Sequence, residues 1–115
     1  MAGRQVRLRE RAATDIEEVA DYYVAEAGSD VALRFVDAVE GALHQIGRSP
    51  QAGSLRFSYE LGIPGLRVRS LVRFPYLLFY VANDDEIVDV WRVLHRRRDV
   101  PSAMPDGGQT DDSGT

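Results

Sequence analysis

The 115-residue sequence contains no cysteine. That excludes a disulfide scaffold, a thiolate zinc site and a thiol nucleophile. Lysine is missing as well, so all 14 basic residues are arginine. Codon bias accounts for this without any function. The physical consequence holds either way, because an arginine fork binds carboxylate or phosphate through two parallel hydrogen bonds and lysine does not. No apolar run approaches the ~20 residues of a membrane span, and no signal peptide opens the chain. The expectation is a soluble, cytoplasmic domain with no membrane partner. Catalytic signatures are absent too: there is no Walker loop, no dinucleotide-binding glycine fingerprint, no HExxH and no GxSxG. No cofactor and no metal are expected.

What is present is an apolar share of 44%, too high for a disordered chain and enough for one core. The net charge of −4 is strongly sorted along the chain. Residues 1–11 carry +3, residues 12–44 carry −7 and residues 45–83 carry +4. Residues 84–91 are then −4, residues 92–98 are +4, and the end from Asp99 is −4.

Residues 4–11 alternate, with Val6 and Leu8 on one face and Arg7 and Arg9 on the other, which predicts a half-buried strand. Thr14 and Glu17 have capping-box spacing and predict a helix start. Ile16, Val19, Ala20, Tyr23, Val24 and Ala27 continue at helical spacing to a stop at Gly28. A second stripe runs from Val31 through Phe35, Val39 and Leu43 to Ile46. The short connection folds the two helices into an antiparallel hairpin, with Glu17, Glu18, Asp21, Asp37 and Glu40 off the stripes. Ile16, Tyr23, Phe35, Val39 and Leu43 are the expected core beneath it.

Prolines and glycines make residues 48–65 a loop, with room for a short strand near Leu55–Leu61. Three strand signals follow at Leu66–Arg73, Tyr76–Val81 and Ile87–His95, the last two joined by a turn through Asn83, Asp84 and Asp85. The fold class is α+β: a two-layer β-α-α-β-β-β domain over residues 1–100, with an N-terminal strand, a helix hairpin and an antiparallel meander. Residues 101–115 read as a flexible acidic tail.

Asp84, Asp85 and Glu86 at a hairpin tip are a solvated turn rather than a cation site. His44 sits on the polar flank of the second helix near its negative end, where a surface role suffices. His95 ends a strand and precedes Arg96, Arg97 and Arg98. It reads either as a plain strand-end polar residue or as a proton-transfer group beside a phosphodiester. Arg67, Arg69 and Arg73 share one face of their segment. Arg92 interrupts the apolar set Val88, Val90 and Leu94, and so needs buried acceptors. Together these arginines read as a basic sheet surface, either paired within the chain or open to an anionic partner.

The segments "ATDIEEVADYYVAEAG", "ALRFVDAVEGAL", "SPQAGSLR" and "GLRVRSLVRFPYLLFYV", running on to "VWRVLHRRRDVP", resemble the ParE branch of the RelE/ParE toxin family over about residues 4–101. The resemblance implies the toxin of a type II toxin–antitoxin pair, held inactive by a cognate, ParD-like antitoxin. ParE-type members block DNA gyrase by binding, whereas RelE-type members cut messenger RNA on the ribosome. The nuclease branch typically has a tyrosine close to the C-terminus, and none follows Arg98 here. The resemblance therefore implies a non-enzymatic gyrase inhibitor without direct sequence-specific DNA binding. Its antitoxin anchors are Arg67, Arg69, Arg73 and Arg92, and its target contacts are His95, Arg96, Arg97 and Arg98. The alternatives are a ribonuclease using Arg73, Arg92, His95 and Arg96, and an inactive toxin-derived interaction module.

Overall fold

The computed structural model describes residues 4–83 and 87–98, together with Val100 and Met104. Strand β1 (Gln5–Leu8) leads into α1 (Glu10–Ala27) and α2 (Ser29–Arg48). A 3-10 turn (Pro50–Ala52) and α3 (Arg56–Leu61) precede β2 (Arg67–Ser70), β3 (Tyr76–Ala82) and β4 (Ile87–His95). The sheet order is β1-β4-β3-β2. Strands β2, β3 and β4 form the expected antiparallel meander, and β1 joins β4 in parallel.

Two local expectations are corrected. Helix α1 starts at Glu10 rather than at a Thr14 cap, and Arg9 at the N-cap makes no side-chain capping bond. The apolar stripe reaches back to the fully buried Ala12, so packing outweighs the capping signal. Leu55–Leu61 is not a strand: α3 occupies Arg56–Leu61 and stops at Gly62, whose left-handed φ of 67° suits glycine. Phe57 and Leu61, four residues apart, give this short helix an apolar edge against the sheet.

The hairpin of α1 and α2 covers one sheet face, with Phe35, Val39, Leu78, Tyr80, Val88 and Val90 buried between. Ile16, Tyr23 and Leu43 pack around that core but are only partly buried. The opposite face has its own apolar layer, in which Leu66, Val68, Leu77 and Phe79 meet Ile63, Phe57 and Leu61. This explains why "YLLFYV" is apolar on both faces. Val100 and Met104 close that second layer, so buried structure extends into the stretch read as a tail. The rest of residues 101–115, and the turn residues 84–86, lie outside the described residues.

A bulge in β4 decides what lies under α1. Phe79 pairs with Arg92 and Tyr80 with Val90, so Trp91 is the extra residue. Beyond it the alternation flips: Val93 joins Val88 and Val90 beneath the helices, and Leu94 turns to the second layer. Arg92 is buried facing Asp15 of α1, with Nε donating to Oδ2 at 2.8 Å and Nη2 donating to Oδ1 at 2.9 Å. Asp15 Oδ2 also accepts the Val93 N–H at 3.0 Å, beyond the point where β1 ends beside β4. The carboxylate raises the Arg92 pKa above its ordinary value, against the opposing effect of burial.

Replacing Asp15 by Ala removes the carboxylate that neutralises the buried Arg92 and should lower stability by roughly 3–5 kcal/mol. The double variant Asp15→Leu/Arg92→Met should recover at least half of that loss, because it removes both charges. Denaturant midpoints check this, and a double variant no more stable than Asp15→Ala would contradict it.

Candidate functional site

Tyr80 sets the position of the first arginine. Its hydroxyl accepts the Gly53 N–H at 3.1 Å and donates to the Pro50 carbonyl at 2.8 Å. Burial raises its pKa, so it stays a neutral donor. A Cβ at Gly53 would overlap this hydroxyl, so only glycine allows the loop to approach so closely. The loop carbonyls held in this way receive Arg67, whose Nη1 donates to Gly53 O at 2.8 Å and to Gln51 O at 3.0 Å. Its Nη2 donates to Gln51 Oε1 at 2.8 Å.

Arg69 comes next along β2 and donates from Nη2 to Gln45 Oε1 of α2 at 3.0 Å. Arg67 and Arg69 pair with Tyr80 and Leu78, two members of the helix-side core. Both arginines therefore lie on the helix side of the sheet edge, reaching around α2. The expected alternation of this strand is seen: the opposite face of β2 and β3 carries Val68, Leu77 and Phe79 under α3. Long arginine stems at an edge strand can pass the core and leave their charge in water.

Arg73 extends this row at the turn between β2 and β3, with a positive φ of 70°. A groove of about 460 Å³ opens there between the turn and α2, lined by Arg34, Asp37, Ala38, Val72, Arg73 and Phe74. Val72 is 69% exposed at its rim. The fourth expected anchor, Arg92, is not in this row. It is buried and its guanidinium is bonded to Asp15 of α1, so it holds the scaffold together.

The second basic group stays clustered as expected. His95 pairs with Tyr76 across the sheet, and their rings meet edge-on with centroids 5.1 Å apart. A tight turn follows, in which Arg96 N donates to Pro75 O at 2.9 Å and Arg98 N to His95 O at 2.8 Å. His95 Nδ1 accepts the Arg97 N–H at 3.1 Å. The side chains of Arg96, Arg97 and Arg98 are exposed. Tyr76 packs against Tyr23, Phe35 and His95, and burial followed by Tyr23 raises its pKa.

The third cluster escaped the sequence reading. Arg7 of β1 lies beside Asp89 of β4, and Arg7 Nε donates to Asp89 Oδ1 at 2.8 Å. Asn83 Nδ2 donates to Asp89 Oδ2 at 2.8 Å, and Arg9 stacks on the Trp91 ring at 4.2 Å. The Arg7 hydrogen bond holds the Asp89 carboxyl below its usual range despite burial. Asp15 was equally overlooked, although it is the one acid on the apolar stripe of α1, and Arg92 is its counterpart among apolar strand residues. Among the described residues, no three His, Asp or Glu side chains converge to hold a metal ion.

A family model described as "ParE toxin of type II toxin-antitoxin system, parDE" matches residues 6–100. A solved structure described as "Chromosomal ParDE TA system from P. aeruginosa" shares the fold with a TM-score of 0.68 at 22% identity. That match covers 80% of this chain and 95% of the other. No curated protein matches.

The Asp89 pair makes a signed pH prediction. Its folded pKa is depressed, so its contribution is complete above the ordinary carboxylate value of about 4 and is lost as pH falls through the folded value. The stability gap between the native chain and Asp89→Asn should therefore be constant from neutral pH down to about 5 and shrink in stronger acid. Urea midpoints at neutral and acid pH read the gap directly, and a gap unchanged in acid would refute the assignment.

Proposed function

The chain belongs to the ParE toxin family of type II toxin–antitoxin systems, and from that premise we propose that it arrests growth by binding DNA gyrase until a ParD-like antitoxin neutralises it. In this reading it breaks no bond of its own. One observation carries the choice of binding over catalysis: Arg92 and His95, two of the groups a nuclease would need, are engaged by the scaffold. Arg92, the best placed to stabilise a transition-state charge, is locked on Asp15. Arg73 sits on a turn against α2, and two residues on, Pro75 O accepts the Arg96 N–H at 2.9 Å. His95 spends Nδ1 on the Arg97 N–H, and among the described residues no carboxylate hydrogen-bonds to it.

The antitoxin meets the row Arg67, Arg69 and Arg73 along the cleft between β2 and α2. Gln51 and Gln45 hold the first two guanidinium groups extended, which lowers the entropy cost of pairing with carboxylates. His95 and the exposed Arg96–Arg98 turn are the target contacts, a compact cation cluster on a rigid strand end. The turn of Arg73 adjoins this cluster through the Arg96 N–H on Pro75 O, so neutralisation follows from the antitoxin covering or obstructing the target face.

Purified protein should inhibit gyrase supercoiling while ribosome-bound messages stay intact. Cleavage of messages in the ribosomal A site with gyrase untouched would replace this reading by the nuclease one. Replacing Arg67 and Arg69 together by Ala should slow antitoxin association and flatten its dependence on salt. Association kinetics identical to those of the native chain would place the antitoxin elsewhere.

A further inference from the structure

A row of rings joins α1 to the end of β4, two places far apart in sequence. Tyr22 meets Tyr23 edge-on with centroids 5.4 Å apart, Tyr23 meets Tyr76 at 6.4 Å, and Tyr76 meets His95 at 5.1 Å. Phe35 and Phe74 pack on Tyr23 from within, at 5.7 and 5.4 Å. Tyr23, Phe35, Phe74 and Tyr76 all belong to the helix-side core. Tyr22, the outer member of the row, is 56% exposed. Burial and then Tyr23 raise the Tyr76 pKa, with Tyr22 adding to the effect, so the Tyr76 hydroxyl stays a protonated donor.

Tyr22 lies off the apolar stripe of α1, on a face that is otherwise acidic. Glu18 and Glu26, one turn before it and one turn after, are exposed. A ring in that position adds little to the fold, but it has a rigid seat. The contact with Tyr23 restricts its rotamers, so little entropy is lost when a partner closes on it. Tyr59 shows the contrast: it is 91% exposed, and the ring of α3 that packs on another is Phe57, against Phe79. At the far end of the row, the Arg96, Arg97 and Arg98 N–H groups are all bonded within the turn, which leaves the exposed guanidinium groups to meet a partner. His95 accepts at Nδ1, so in the neutral ring Nε2 carries the proton and donates.

We propose that Tyr22 is a target-binding residue, and that the target contact runs from the Arg96–Arg98 turn across Tyr76 to α1. Its partner is a protein surface that sets carboxylates around a shallow apolar recess. This rests on the reading of the chain as a toxin that acts by binding a protein, and it adds a second element to the target face. Arginine and tyrosine are the residues enriched where protein interfaces concentrate their binding energy. A nucleic acid fits less well, because Glu18 and Glu26 would face its phosphates.

Inhibition of gyrase on relaxed plasmid by the native chain, Tyr22→Ala, Tyr22→Phe and Tyr59→Ala tests this. Tyr22→Ala should need at least about 10-fold more protein for half inhibition, while Tyr22→Phe stays within about 3-fold and Tyr59→Ala matches the native chain. The denaturant midpoint of Tyr22→Ala should equal the native one, and a clear drop would assign the ring to the fold and overturn the proposal. Inhibition by Tyr22→Ala equal to the native chain overturns the role of Tyr22 and leaves the gyrase reading standing. A native chain that leaves supercoiling untouched overturns both. An equal loss of affinity for the antitoxin assigns Tyr22 to that partner, and retardation of a labelled DNA duplex that Tyr22→Ala abolishes assigns it to nucleic acid. Either result also overturns the proposal.

Discussion

The Asp15–Arg92 pair is the constraint on which the rest of the structure depends. It joins α1 to β4 across the core, and Asp15 also caps the Val93 N–H where β4 has outrun β1. The bulge at Trp91 shifts the register so that Val93, whose N–H bonds to Asp15, falls beneath the helices. Two apolar residues of similar volume could fill that space with less desolvation cost. What they could not do is tie a particular helix position to a particular strand position, and so exclude a slip of register.

From that fixed register the functional surfaces follow. Phe79 and Tyr80 flank the bulge, and Tyr80 directs its hydroxyl at the Pro50–Gly53 loop. The loop's carbonyls then hold Arg67, and Gln45 on α2 holds Arg69. At the other end of β4, the same strand delivers His95 and three exposed arginines beside Tyr76. The cation clusters are therefore rigidly spaced, although each lies on a turn or a sheet edge. Rigid spacing limits the entropy lost when a flexible partner is captured.

The acidic and basic stretches also acquire a division of labour. Most acids of α1 and α2 remain on exposed helix faces, while Asp15 and Asp89 are withdrawn to anchor Arg92 and Arg7. Among the arginines left outside those pairs, Arg4, Arg34, Arg48, Arg67 and Arg73 rim grooves. An overall charge of −4 thus coexists with basic binding surfaces, because the opposing charges occupy different elements.

The sequence alone determined the helix hairpin and the meander, because helical spacing and alternation are local properties, while the family was legible only through the resemblance of its segments. Phe35 and Val39 were legible as core for that reason, and the need of Arg92 for a buried acceptor was legible from its apolar neighbours. What only the tertiary structure decided was every relation between distant segments. Residues 15 and 92 are too far apart in sequence for any period to link them. The one-residue bulge that sends Leu94 to the second face leaves no signature in "VWRVLH". The pairing of β1 with β4 moved Arg7 onto Asp89. Alternation assigns a side chain to a face, but strand order decides which edge stays unpaired, and strand order is settled only when the whole sheet assembles.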